Sequence, residues 1–365
     1  MKIGILTIHA AYNYGSALQA VASCQAIKEI TGSVTEIIDY QPDSIMSMYS
    51  LDLRKNVGGI KEFIKFIFSI KSRKQKKKAF DLFWKKENCL SKNIYYDSND
   101  LFNANDVYDS FVVGSDQVWN PDIVGDAFGD FCLEFVSDDK NRYAYASSFG
   151  VRNIGKEQLE KLNLSLKKFK AIAVREREAK NMLDLNIQKH ARIVCDPVFL
   201  LTKDQWRNRM IKMILPSNYI LVYCVEVDKE LQTIIKEMSR RLELPIVDVG
   251  YATNPQNYMG MHNDNVGPGE FLYAINNAEY VITNSFHGTA FSIIFRKQFL
   301  VKAHSKRGVR MENILDICGL SDRMVREDDE LDKVFSRLTK INPERNDNLD
   351  SYIQNSKEYI SSMFV

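Results

Sequence analysis

The sequence lacks the signatures of the common nucleotide, hydrolase and metal sites. It has no Walker loop, no Gly-x-Gly-x-x-Gly turn, no Gly-x-Ser-x-Gly elbow and no His/Cys cluster at metal spacing. Its six cysteines (Cys24, Cys89, Cys132, Cys195, Cys224, Cys318) are scattered and form no Cys-x-x-Cys pair. That argues against a disulfide framework or a zinc site and points to a reducing cytoplasm. No stretch approaches the roughly 20 apolar residues of a membrane span. Met1-Lys2-Ile3-Gly4-Ile5-Leu6 turns polar too soon for a signal peptide and reads as the start of a strand. Neither charge dominates: 49 Lys and Arg stand against 47 Asp and Glu, a net +2. The balance argues against a dedicated nucleic-acid binder. Repeats and low-complexity linkers are also missing.

What is present is an α/β rhythm. At 365 residues the chain is long for one such domain, so two are expected. Ile3–Ile8 reads as a strand, His9–Gly15 as a loop, Ser16–Ile30 as a helix and Thr35–Tyr40 as a second strand, a βαβ unit of a parallel sheet. Residues 45–100 differ: Ile60–Trp84 is long, helical and basic, with Lys71, Arg73, Lys74, Lys76, Lys77 and Lys78 close together, and reads as a helical insertion. Strands then end in Gly114-Ser115-Asp116-Gln117, Ser147-Ser148-Phe149-Gly150, Arg175 and Asp196-Pro197. Residues 200–217 read as a linker, and a second α/β series begins at Tyr219. The spacing therefore predicts two Rossmann-like lobes facing a cleft, residues 1–200 and 218–345, with the insertion in the first. A helix over 346–365 is expected to pack back on the first lobe.

The richest stretch is Tyr280-Val-Ile-Thr-Asn-Ser-Phe-His-Gly-Thr-Ala-Phe-Ser-Ile-Ile-Phe295. A β-branched run breaks at Asn284-Ser285, passes His287 and Gly288, and resumes as a helix. Such a helix start seats a phosphate or carboxylate. His287 in the same turn can carry a proton or positive charge to the anion. Asn284 and Ser285 also fit a plain cap, and Gly288 a close packing contact. Arg175 fits a surface ion pair with Glu176 or Glu178 as well as an anion clamp. Asp116 fits a turn or a general base. Trp119 fits the core or a sugar platform. Asn13, Tyr14 and Gly15 fit a ligand-approaching loop or a turn capped by Ser16. Arg307 and Arg310 fit a solvated loop or further anion ligands. Every one of the polar turns lies at the carboxyl end of an expected strand, where parallel sheets bind ligands.

The chain resembles the polysaccharide pyruvyl transferase family over nearly its whole length. The matching pieces are Tyr12-Asn-Tyr-Gly-Ser-Ala-Leu-Gln19, Val113-Gly-Ser-Asp-Gln-Val-Trp-Asn120, Ala144-Tyr-Ala-Ser-Ser-Phe-Gly150, Val174-Arg-Glu176, Asp196-Pro197 and Thr283-Asn-Ser-Phe-His-Gly288. The resemblance implies a GT-B-like fold and transfer of pyruvyl from phosphoenolpyruvate to a sugar of a surface polysaccharide, with phosphate released and no further cofactor or metal. It implies a donor site around Arg175 and His287, and the strand-end positions of His287 and Asp116 point to His287 as acid or phosphate ligand and Asp116 as acceptor-side base. It implies a donor site built on Arg175 with Asn284, Ser285 and Gly288, and Ser115 and Gln117 beside Asp116. Many members carry Arg where this chain has Ser285, so Arg307 or Arg310 is expected to supply the missing charge.

The implied partners are phosphoenolpyruvate and a saccharide, free or lipid-linked. The basic run 71–78 fits a solvated helix face and, with Phe63, Ile64, Phe66, Ile67 and Phe68 before it, a peripheral contact of residues 60–86 with the inner face of the membrane. The expected location is the cytoplasm, with or without that contact. Two other classes fit the same residues: a GT-B glycosyltransferase using a nucleotide sugar, and a non-catalytic protein that binds glycan or a membrane assembly.

Overall fold

The computed structural model of the chain describes residues 1–47, 60–250, 261–263, 265–303, 308–326, 329–338 and 346–364, with 60–69 described by their backbone alone. It divides into two compact units. The first comprises Met1–Lys55, Trp84–Leu201 and Asp350–Val365, and the second Asn56–Phe83 and Thr202–Leu349.

Among its described residues the first unit holds seven strands: β1 (Lys2–Leu6), β2 (Val34–Tyr40), β3 (Leu90–Tyr95), β4 (Ser110–Val113), β5 (Asn141–Ser147), β6 (Phe169–Val174) and β7 (Arg192–Ile193). They pair in the order β3-β2-β1-β4-β5-β6-β7, parallel throughout. The central strands are short apolar runs buried along their length, as parallel strands covered on both faces must be. The helix Tyr14–Thr31 joins β1 to β2. Its small residues Ala17, Ala20 and Ala22 let it be buried on nearly every side, and Gly32 ends it in the left-handed conformation at φ 67°.

The second unit repeats the plan with β8 (Ile220–Tyr223), β9 (Ile246–Asp248), β10 (Met261–His262), β11 (Tyr280–Thr283), β12 (Gln298–Lys302) and β13 (Met324–Val325). Their order is β10-β9-β8-β11-β12-β13, again parallel. In each unit the order reverses once, between β1 and β4 and between β8 and β11. Open parallel sheets bind their ligands at such a reversal, beyond the carboxyl ends of the strands.

Two segments, residues 45–100 and 200–217, differ from the pattern read in the sequence, while the tail helix is as expected. Residues 45–100 contain the basic helix, Ile60–Glu87, but also β3, the edge strand of the first sheet. Residues 200–217 are not a bare linker. Thr202 caps the helix Lys203–Arg207 with a capping box, and Trp206 is fully buried with its ring 5.1 Å from Phe291. The tail forms the helix Asp347–Met363, in which Ser356 Oγ accepts a hydrogen bond from Cys195 N at 2.9 Å and beyond which Phe364 lies 4.7 Å from Tyr143. Among the described residues no helix is long and apolar enough to cross a membrane.

Candidate functional site

The reversal between β1 and β4 is lined by polar groups that bond one another. Asn13 is the cap of the helix Tyr14–Thr31, accepting from Gly15 N at 2.9 Å and Ser16 N at 3.3 Å. Ser16 is thereby released from the capping role read for it, and its hydroxyl donates to Asp116 Oδ2 at 2.6 Å. Asp116 also accepts from Gln117 N at 2.9 Å and takes φ +74°, a conformation L-residues adopt sparingly. The loop beyond β4 is locked to that beyond β5, since Asp116 bridges Ser147 and Ser148 N donates to Asp116 O.

Behind Asp116 lies a buried ion network. Arg175 bonds Asp196, lies 3.7 Å from Glu176 and is only 6% exposed. Ser115 Oγ donates to Asp196 at 3.3 Å and Ser148 Oγ to Glu176 at 2.6 Å. Burial alone would lower the Arg175 guanidinium, but Asp196, Glu176 and Asp116 outweigh it and hold it above the usual arginine range. Arg175 therefore does pair with its neighbour Glu176, but in a buried network shared with Asp196 and not at the surface. A buried cation in such a network fixes the loops that carry it, and removing one partner costs about 3–5 kcal/mol.

Two residues read as ligand contacts are core instead. Trp119 is fully buried, packed 5.7 Å from Phe149 with its Nε1–H bonded to Phe131 O, so no face is open to a sugar. Tyr14 is likewise fully buried. Gln117 is partly exposed at the same turn, its amide oxygen accepting from Asn120 Nδ2 at 3.2 Å.

One pair at the strand ends escaped the sequence reading. His9, just past β1, places Nε2 3.0 Å from Asp39 Oδ1 near the end of β2 and Nδ1 3.2 Å from Thr7 O. His9 is 2% exposed and Asp39 7%. Burial would raise the Asp39 carboxyl, but His9 and Gln41 prevail and hold it below the usual carboxylate value. A histidine three residues beyond a strand and an acid at the next strand's end were the available signals.

In the second unit the reversal between β8 and β11 carries the Asn284–Gly288 turn. Asn284 pins the loop beyond β8: its Oδ1 accepts from Val225 N at 2.7 Å and its Nδ2 donates to Glu226 O at 2.9 Å. Ser285 caps the helix Phe286–Ile294 and accepts from Gly288 N at 3.5 Å. Gly288 is needed because a Cβ there would stand 2.3 Å from Thr283 Oγ1, so helix and strand approach closely only without a side chain. His287 occupies the first turn of this helix, 7% exposed, its ring 5.2 Å from Phe286. Arg310, from the helix Val309–Ile317, lies with its guanidinium carbon 5.6 Å from the Phe286 ring centre. Arg310 is thus brought to the turn, while Arg307 lies outside the described residues.

The chain matches the family described as polysaccharide pyruvyl transferase over residues 13–306. No curated protein matches it. Among solved structures it is similar to the UDP-GlcNAc 2-epimerase of Methanocaldococcus jannaschii, at 13% identity and a TM-score of 0.56, covering 95% of each chain. It is also similar to the UDP-GlcNAc 2-epimerase of Neisseria meningitidis bound to UDP-GlcNAc, at 11% identity and a TM-score of 0.57, covering 100% of this chain and 99% of that one. At these identities the likeness shows the fold, two parallel-sheet α/β units of the GT-B type, and among the described residues neither sheet closes into a barrel.

Proposed function

The chain belongs to the polysaccharide pyruvyl transferase family and is a transferase acting on a saccharide acceptor, and we propose that its donor is phosphoenolpyruvate. The observation that carries the reading is His287, set in the first turn of a helix at the β8/β11 reversal with Arg310 beside the same turn. A donor with a phosphate and a carboxylate needs concentrated positive potential, and a helix start with an arginine supplies it. Arg310 then takes the place of the arginine that many relatives carry where this chain has Ser285.

In the proposed reaction a proton adds to the methylene carbon of phosphoenolpyruvate and leaves an oxocarbenium-like centre at the neighbouring carbon. One sugar hydroxyl attacks that centre and loses its proton. The carbon–oxygen bond to phosphate breaks, a second hydroxyl closes the ketal, and phosphate departs with the remaining proton. His287 is assigned as the acid or phosphate ligand, and Asp116 as the base that receives an acceptor proton. Ser16 holds Asp116, and the Arg175 network holds the loops beyond β4, β5 and β6.

The acceptor in this reading is a sugar of an exopolysaccharide or capsule, or its lipid-linked precursor, met at the cytoplasmic face of the membrane. The helix Ile60–Glu87 supports it, because Lys71, Lys74, Lys78 and Lys85 are exposed and share one face at helical spacing. Binding to vesicles with and without anionic lipid tests that contact. A nucleotide-sugar donor is the competing reading, with which the fold shared with an epimerase bound to UDP-GlcNAc is consistent. Thermal shift with phosphoenolpyruvate and with UDP-GlcNAc separates the two. Stabilisation by UDP-GlcNAc alone overturns the phosphoenolpyruvate assignment.

A further inference from the structure

A cavity of about 660 Å³ opens in the second unit at the carboxyl ends of β12 and β13, apart from the Asn284–Gly288 turn. Its size falls within the roughly 300–1,000 Å³ of small-ligand sites. Four charged side chains line it. Glu312 and Asp316 lie one turn apart on the exposed face of the helix Val309–Ile317, whose other face buries Met311, Ile314 and Leu315. Lys302 ends β12, and Arg326, exposed, follows β13. Ala303 and Met324, both half-buried, give the lining an apolar part.

The charges decide what fits. Two carboxylates and two cations cancel, so an anion meets Glu312 and Asp316 and a cation meets Lys302 and Arg326. Lys302 is also committed elsewhere. Its ammonium lies 3.2 Å from Asp228 and bonds Glu230, and though burial would lower it, these partners hold it above the usual lysine range. A neutral ligand that both donates and accepts hydrogen bonds, with one apolar face, satisfies all the groups together. A sugar ring has those properties: vicinal hydroxyls give to carboxylates and receive from guanidinium, and the C–H face lies on aliphatic side chains.

We propose that this cavity is a saccharide-binding site for neutral sugar units, separate from the donor turn. It rests on the family reading in one respect, that the ligand is a stretch of the glycan acceptor. A site of this kind retains a polymer between transfers.

The test uses the full chain on an array of neutral and acidic glycans, with thermal shift by phosphoenolpyruvate measured in parallel. The expected result is binding to neutral glycans, weakened about tenfold or more by Asp316→Ala and abolished by Ser321→Trp, which sets an indole ring into the cavity from Ser321, an exposed residue of its lining. Both variants should keep the wild-type response to phosphoenolpyruvate. Binding confined to acidic glycans, no glycan binding, or neutral binding that survives both substitutions overturns the site. Neutral binding lost in the variants of a protein that does not respond to phosphoenolpyruvate supports the site and counts against the proposed donor, so the two claims fail separately.

Discussion

Ser16 donates its hydroxyl to Asp116 at 2.6 Å, joining two residues one hundred positions apart. The bond ties the first turn of the helix Tyr14–Thr31 to the loop beyond β4 across the point where the strand order reverses. It also holds a carboxylate whose backbone sits at φ +74°. A hydrogen bond to a charged acceptor contributes about 1.5–3 kcal/mol. Ser16→Ala should destabilise the fold by that order in urea denaturation and should lower kcat more than it changes KM. Asp116→Asn, which keeps the shape and removes the charge, should lower kcat by about 10²–10⁴-fold if the carboxylate is the acceptor base. Unchanged kcat in Asp116→Asn would remove Asp116 from the chemistry.

Gly288→Ala places a methyl 2.3 Å from Thr283 Oγ1, a buried hydroxyl that donates to Tyr223 O. Overpacking of this kind costs about 1–3 kcal/mol. The variant should melt earlier and respond less to phosphoenolpyruvate, because the helix start moves off the strand. Equal melting temperatures would show that the close approach is not a requirement.

Asp39 gives a dependence on pH with a definite sign. Its folded value lies below the unfolded one despite burial, through His9 and Gln41. A carboxylate lowered by folding contributes stability that is full above the unfolded value of about 4 and is lost as pH falls through the folded value. Asp39→Asn should therefore be less stable than wild type near neutrality, and the gap should close on acidification below about pH 4. A gap that widens in acid contradicts the assignment. The readout is the difference in urea midpoint between the two proteins across pH.

Trp206 tests the boundary of the second unit. It is fully buried against Phe291 in a segment whose mixed charge reads as linker. Trp206→Ala should cost about 3–5 kcal/mol, as large-to-small core changes do. A change within experimental error in denaturant midpoint would restore the linker reading.

The alternation of apolar runs and small polar turns made both parallel sheets legible, since buried parallel strands leave a strong local mark at Phe111–Val113, Ile220–Tyr223 and Tyr280–Thr283. β3 was hidden because Leu90–Tyr95 is an edge strand carrying Lys92 and Asn93, beside a basic helix that dominates the composition. The turn at Asn284–Gly288 was legible as a position. The partners of its residues were not, because Asn284 bonds residues nearly sixty positions earlier. The same holds for His9 with Asp39 and for Ser16 with Asp116, contacts that only the folded sheet creates. Trp119 and Tyr14 show the converse limit: an aromatic beside a functional turn reads the same whether it faces a ligand or the core.

The central claim is a donor with a phosphate to lose and His287 as the group that engages it. ³¹P NMR of the full chain with phosphoenolpyruvate and a panel of saccharides measures this directly, with His287→Asn as the comparison. The account predicts release of inorganic phosphate that depends on a saccharide, with a pyruvate ketal on the product. It predicts none in His287→Asn, whose circular dichroism and melting should match wild type. Saccharide-dependent phosphate release at the wild-type rate in His287→Asn, or intact phosphoenolpyruvate with every acceptor alongside turnover of UDP-GlcNAc, would contradict it.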